Sequence, residues 1–317
     1  MKIDVHFHAV PPAFKAAALR AGRGATIASG FPDWSVPGAL AVMDRHGIAT
    51  AITSISQPGV HFGDDAAARA LARRCNEEAA EAIAQHPARF GAFATLPLPD
   101  VDGACAEVAH ALDVLKLDGV CLLASYGERF LGDPSFDPVL RELDARAAVV
   151  FVHPNFHPSS RALDTPLPAF LTEFPFDTTR GVTRLIFSGA TRRFARIRFI
   201  LAHAGGTLPY LAWRLSLAPA IDARFAAETG AGILEEIGRF WFDTAQAAGP
   251  AVLAALRQVA PADRVLFGSD WPYCPETVLQ MTGEAVQAAA ASDPAATGIA
   301  RRHALALFPR LRTQDDR

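Results

Sequence analysis

Ile3-Asp4-Val5-His6-Phe7-His8-Ala9 is a short apolar run that carries two histidines one residue apart. Alternate side chains of a β-strand share a face, so as a strand this stretch turns His6 and His8 one way and Val5 and Phe7 the other. Two imidazoles on one face can hold one metal ion; the simpler alternative is two ordinary histidines near a chain end. The rest of the chain favours the first, because it puts His153, His203 and Asp270 at the ends of later apolar runs.

Those runs recur with helical patterns between them. Ala49 to Ile55, Phe90 to Leu96, Gly119 to Ser125, Ala147 to Val152, Ile197 to Ala202, Phe240 to Thr244 and Val265 to Asp270 all read as strands. Stretches such as Val36 to His46, residues 66 to 86, Val101 to Leu115, Pro138 to Arg146 and Phe176 to Phe187 show helical spacing. Eight strands alternating with helices predict a single (β/α)8 barrel over residues 1–317. An open doubly wound sheet is the runner-up, but it calls for a Gly-rich phosphate turn after an early strand, and none is present. Long loops are expected after strand one (residues 10–35, a candidate lid) and after strand five (residues 157–175). Helices over Glu276 to Ala291 and Pro294 to Phe308 should complete the ring and cap one end.

At 317 residues, half of them apolar and a fifth charged, the chain can bury a substantial core. A net charge of -3 without a concentrated Lys/Arg stripe argues against nucleic acid as a partner. No apolar run reaches membrane-spanning length, and Cys75, Cys105, Cys121 and Cys274 stand far apart with no C-x-x-C pair. With a strand at the very start leaving no room for a signal peptide, a cytoplasmic protein with reduced thiols is expected.

Barrel enzymes carry their chemistry at the C-terminal ends of the strands. His6 and His8, His153, His203 and Asp270 fall at the predicted ends of strands one, five, six and eight. Imidazole nitrogen and carboxylate oxygen suit zinc or a similar first-row ion with one position left open.

These residues, together with Arg89-Phe90-Gly91, Phe151-Val152-His153-Pro154, Ala202-His203-Ala204-Gly205-Gly206 and Leu266-Phe267-Gly268-Ser269-Asp270-Trp271-Pro272, resemble the amidohydrolase superfamily. Within it the chain is similar to the decarboxylase group that includes the aminocarboxymuconate-semialdehyde, gamma-resorcylate and 6-methylsalicylate decarboxylases. The resemblance implies that His6, His8, His153 and Asp270 ligate one divalent ion, zinc first and manganese second, with His203 and Asp270 as catalytic groups. It also implies a homodimer, in which Arg214 on the helix after His203 would reach a neighbouring subunit's substrate. The fourth strand, Val120 to Ser125, offers no bridging Lys or Glu, which favours one metal over two. The stretch from Thr26 to Val42 lacks an arginine for a second carboxylate, which speaks against a dicarboxylate substrate.

The expected reaction is non-oxidative decarboxylation of a small aromatic hydroxy-carboxylic acid. Phe31, Trp34 and His157 are candidate substrate contacts beside Arg214, and Phe174 and Phe176 are candidate pocket walls. His61 and Asp243 lie at predicted strand mouths, whereas His46, His86, His110 and His303 read as surface residues. Two other readings stay open here. Metal-dependent hydrolysis of a lactone, ester or amide would use the same five residues, and a non-catalytic barrel would keep its histidines for packing.

Overall fold

Among the residues described by the computed structural model (1–24, 30–162, 167–225 and 232–313), eight parallel strands pair in chain order. They are β1 (Lys2–His8), β2 (Ile48–Ser54), β3 (Phe90–Thr95), β4 (Gly119–Leu123), β5 (Val149–His153), β6 (Arg198–Leu201), β7 (Trp241–Asp243) and β8 (Val265–Leu266). The two edges then meet. The Val5 amide donates to the Phe267 carbonyl at 3.0 Å, the His8 amide donates to the Trp271 carbonyl at 2.7 Å, and Phe7 bridges Trp271 in parallel. This is the (β/α)8 barrel expected above, and closure removes the exposed edges that an open sheet would keep.

The longer helices are α1 (Pro12–Arg20), α2 (Val36–Arg45), α3 (Asp65–Gln85), α4 (Val101–Ala109), α5 (Asp137–Ala145), α6 (Glu173–Phe187), α7 (Leu208–Ser216), α8 (Pro250–Val259) and α9 (Glu276–Ser292). Loops that follow strands end in capping side chains: Ser35, Asp64 and Asp100 accept from the amides of Gly38, Ala67 and Gly103 at 3.1, 2.7 and 3.1 Å. Each such cap contributes about 1 kcal/mol.

Two apolar layers result. Inside the barrel lie Ile3, Val5, Ile52, Phe93, Cys121, Phe151, Ile200, Trp241 and Leu266, and the C-terminal segment closes the floor with Leu305, Leu307, Phe308 and Leu311. Outside it, Phe7, Met43, Phe90, Val150, Val152 and Leu201 pack between strands and helices.

Several local expectations are corrected. The 10–35 loop contains helix α1, whose Phe14 and Ala18 are buried four residues apart on one face; its positions 25–29, like 163–166 of the second excursion, lie outside the described residues. A hairpin of Ser125–Tyr126 and Arg129–Phe130 follows β4. The helix expected over Pro294 to Phe308 is broken into a 3-10 turn, Pro294–Gly298, and a short helix, Ala304–Leu307. His303 is buried, with Nδ1 donating to the Val265 carbonyl at 2.8 Å.

The strict alternation expected in β1 is also interrupted. The register with β2 shifts between Asp4 and Phe7, so that three steps along β1 oppose two along β2, from Ala51 to Thr53. A bulge of this kind resets the phase. Val5 consequently stays inside the barrel with Ile3 while Phe7 packs outside it.

The floor makes a direct test of this architecture. Phe308 is 2 % exposed and packs on Phe93 at 6.0 Å between centroids. Phe308→Ala should destabilise the fold by about 3–5 kcal/mol, read from the denaturation midpoint; a change below about 1 kcal/mol would mean that the C-terminal plug is dispensable.

Candidate active site

The side chains that end β1 and β5 and follow β8 converge at one mouth of the barrel. One donor atom from each of His6, His8, His153 and Asp270 lies within 4.8 Å of the others, and all four residues are buried. His6 Nε2 is 3.0 Å from His8 Nε2. Asp270 Oδ1 lies 3.0 Å from His8 Nε2 and 3.4 Å from His6 Nε2. His203 stands beside them, its Nε2 3.5 Å from Asp270 Oδ2.

The far side of each ring assigns its proton. His6 Nδ1 lies 2.8 Å from Asp243 Oδ2, and His153 Nδ1 lies 2.8 Å from the Pro154 carbonyl. Acceptors of that kind require an N–H, which leaves the opposite nitrogen with a bare lone pair. His8 Nδ1 lies 3.0 Å from Ser54 Oγ and 3.4 Å from the Ser54 carbonyl, and the carbonyl likewise accepts only from an N–H. Three lone pairs and one carboxylate oxygen therefore crowd together out of water.

Such a donor set demands a positive charge. Burial opposes a charge on His6, yet the carboxylates of Asp243 and Asp270 overcome it and push its pKa up to about 10. Burial holds His8 below the ordinary histidine range and His153 well below it. Burial raises Asp270, but His6 and the bonds from His203, His6 and His8 outweigh it and keep the carboxylate ionised. Either a proton or a single divalent ion neutralises this cluster, and three imidazoles with one carboxylate fit the ion.

Backbone geometry around the site is unusual. His203, Ala204, Gln246 and Asp270 have φ values of 53, 55, 53 and 63°, the left-handed region that L residues seldom adopt. Gly268 permits the closest approach: a Cβ there would stand 2.8 Å from the His6 Cβ and 3.1 Å from the Asp243 Cβ.

A cavity of about 340 Å³ opens beside the cluster, lined by His153, Asp270, Ser56, Gln57, Gln246 and Tyr273 together with Phe170, Phe174, Cys274, Pro275 and Val278. Phe174, named from the sequence, lies on its wall, while Phe176 is 40 % exposed. The other candidates sit elsewhere. Phe31 packs against Phe14 at 5.5 Å, and Trp34 lines a separate cavity behind Ser54. His157 stacks on Phe130 at 4.4 Å with Nδ1 against Ser159, and His61 pairs with Asp65. Arg214 is exposed on α7.

Several groups at the site were not singled out for it from the sequence. Asp243, placed from the sequence at a strand mouth as a candidate to face the pocket but given no role, anchors His6 and also accepts from the amides of His203 and Ala245 at 3.0 and 2.9 Å. Asp177, on α6, accepts from Ser125 Oγ and from the Asn155 amide, two residues beyond His153; burial lifts its pKa to about 6. Tyr273 follows Asp270 by three residues, its ring 5.3 Å from His8. Its place in the run after Asp270 was an available signal; for Gln246 and Phe170 there was none.

The architecture recurs in known proteins. The chain is 38% identical to a 6-methylsalicylic acid decarboxylase of Aspergillus aculeatus, over 98% of this chain and 97% of that one. It is 35% identical to a 6-methylsalicylic acid decarboxylase of Penicillium expansum, with 98% and 97% covered. It superposes with a TM-score of 0.83 on the crystal structure of a dihydroxybenzoic acid decarboxylase from Polaromonas sp. JS666 with bound manganese and the inhibitor 2-nitroresorcinol, at 25% identity and with 99% and 98% covered. The described residues contain no helix long and apolar enough to cross a membrane. With the Amidohydrolase family model matching residues 3–310, and relatives of this similarity along almost its whole length, the chain belongs to the decarboxylase group of the amidohydrolase family.

Proposed function

We propose that this chain, acting as one barrel domain, removes carbon dioxide non-oxidatively from a small aromatic hydroxy-carboxylic acid of the 6-methylsalicylate kind. One divalent ion would be held by His6, His8, His153 and Asp270. The observation that carries this reading is the buried three-imidazole, one-carboxylate cluster at the edge of a largely apolar cavity. Zinc is our first choice for that donor set and manganese, held by the Polaromonas neighbour, the second. The relatives named above are aromatic-acid decarboxylases, which favours carbon–carbon cleavage over hydrolysis of a lactone, ester or amide. Four free cysteines accord with a reducing, cytoplasmic setting.

A bound divalent ion supplies Lewis acidity, which favours an ionised 2-hydroxyl and an electron-rich ring. The protein's own groups then handle the proton. Asp270 or His203, taking a proton from substrate or water, delivers it to the ring carbon that bears the carboxylate. Electrons of the breaking carbon–carbon bond return to the ring as carbon dioxide leaves, and aromaticity is restored. Phe170 and Phe174 offer apolar walls for the ring and keep water away. Among the described residues lining the cavity there is no Lys or Arg, which agrees with a substrate carrying a single carboxylate.

We further propose a homodimer. Tyr210, Trp213, Leu217 and Ile221 are 85, 69, 39 and 79 % exposed and recur at helical spacing on α7 and the turn beyond it. Exposed apolar side chains along one helix face mark a docking face, and Arg214 lies among them.

Chelation should abolish carbon dioxide release from 6-methylsalicylate, and one equivalent of zinc or manganese per chain should restore it; metal-replete protein that decarboxylates no hydroxybenzoate would overturn the assignment. His203→Asn should lower kcat by at least ~100-fold with metal content near normal, whereas His153→Ala should lose the metal; equal metal loss in both, by elemental analysis, would show the two roles to be wrong. Trp213→Glu should shift the protein from dimer to monomer in sedimentation velocity, and an unchanged mass would exclude this face as the interface.

A further inference from the structure

Gln246 stands in the loop after β7 with a φ of 53°. Glycine or asparagine would take that left-handed conformation more readily, so a turn alone gives no reason for a glutamine. Its side chain gives one. The amide nitrogen lies 2.7 Å from Asp270 Oδ2 and 3.0 Å from Cys274 Sγ, and the residue lines the cavity. An ionised carboxylate only accepts, so the N–H side of the amide must face it.

The two oxygens of Asp270 have different surroundings. Oδ1 faces His8 and His6 Nε2 at 3.0 and 3.4 Å. Oδ2 faces Gln246, with His203 Nε2 at 3.5 Å and Cys274 Sγ at 3.6 Å. The terminal torsion of an aspartate is broad and two-fold, so the backbone does not decide how far the carboxylate turns. Among the described residues, the contact with Gln246 is the shortest that Oδ2 makes.

We propose that Gln246 is a positioning residue: its amide fixes the rotation of the Asp270 carboxylate, keeping Oδ1 among the imidazoles and Oδ2 on the substrate side. The bond also ties together two loops whose backbones are left-handed at Gln246 and at Asp270. The identity of the substrate rests on the function proposed above; the orientation of the carboxylate does not.

The test uses full-length, manganese-loaded Gln246→Gly and Gln246→Met, the first relieving the backbone strain and the second keeping the chain length without a donor. Gln246→Gly should melt at or above the wild-type temperature, and both variants should keep one manganese per chain. Their manganese electron paramagnetic resonance spectra should differ from wild type as the carboxylate turns. On 6-methylsalicylate, kcat should fall about 10- to 100-fold with KM changed less than about threefold. Wild-type spectra and kcat in both variants would overturn the proposal and leave Gln246 a loop residue. Loss of manganese in step with kcat would overturn it too, by showing general support of the ion site. Should the wild-type enzyme decarboxylate no hydroxybenzoate, the proposed reaction fails, while the spectra of the two variants still decide the role of Gln246.

Discussion

The carboxylate of Asp243 is the constraint around which the mouth of the barrel is arranged. It is fully buried, and it bonds His6 Nδ1 with one oxygen and the amides of His203 and Ala245 with the other. An unpaired carboxylate at that depth would cost several kcal/mol; three donors from β1, the turn after β6 and the loop after β7 offset the cost. In return the carboxylate fixes the tautomer of His6 and the place of His203. Removing the partner would free the ring to rotate and blur which nitrogen faces the cluster.

Strain gathers where this constraint acts. His203, Ala204, Gln246 and Asp270 all have left-handed backbones, each at a cost of order 1–3 kcal/mol. The barrel over-determines them. Asp4 accepts from the amides of His6 and Ser269 at 3.1 Å each, and the Asp270 amide donates to the His6 carbonyl at 2.7 Å. Rigid strands thus hold the loops in conformations the loops alone would not choose, which aims polar side chains into a space otherwise walled by Phe170, Phe174, Pro275 and Val278.

Division of labour follows from the two ends of the barrel. One end is sealed by Leu305, Leu307, Phe308 and Leu311 and serves stability. The other carries the cluster and its cavity, and the hydrogen bonds of Asp177 to Ser125 and Asn155 tie the loops after β4 and β5 together there. The floor is thereby kept apart from the cluster, so that loops at the mouth can vary without disturbing it.

Much of this was legible in the residues themselves. Apolar runs alternating with helical spacing determined the barrel, because periodicity and length are local properties. The placement of His6, His8, His153, His203 and Asp270 at or beyond strand ends followed from the same pattern. What only the tertiary structure decided depends on closure and register. His6 and Asp243 lie 237 positions apart, and no local signal pairs them. The bulge in β1 moved Val5 inside the barrel, the 10–35 loop holds helix α1, and Phe31, Trp34 and His157 pack away from the cavity that Phe170, Gln246 and Tyr273 line. Sequence order shows which side chains are available at the mouth of a barrel; the rotation of each strand and the strain of each loop determine which of them meet.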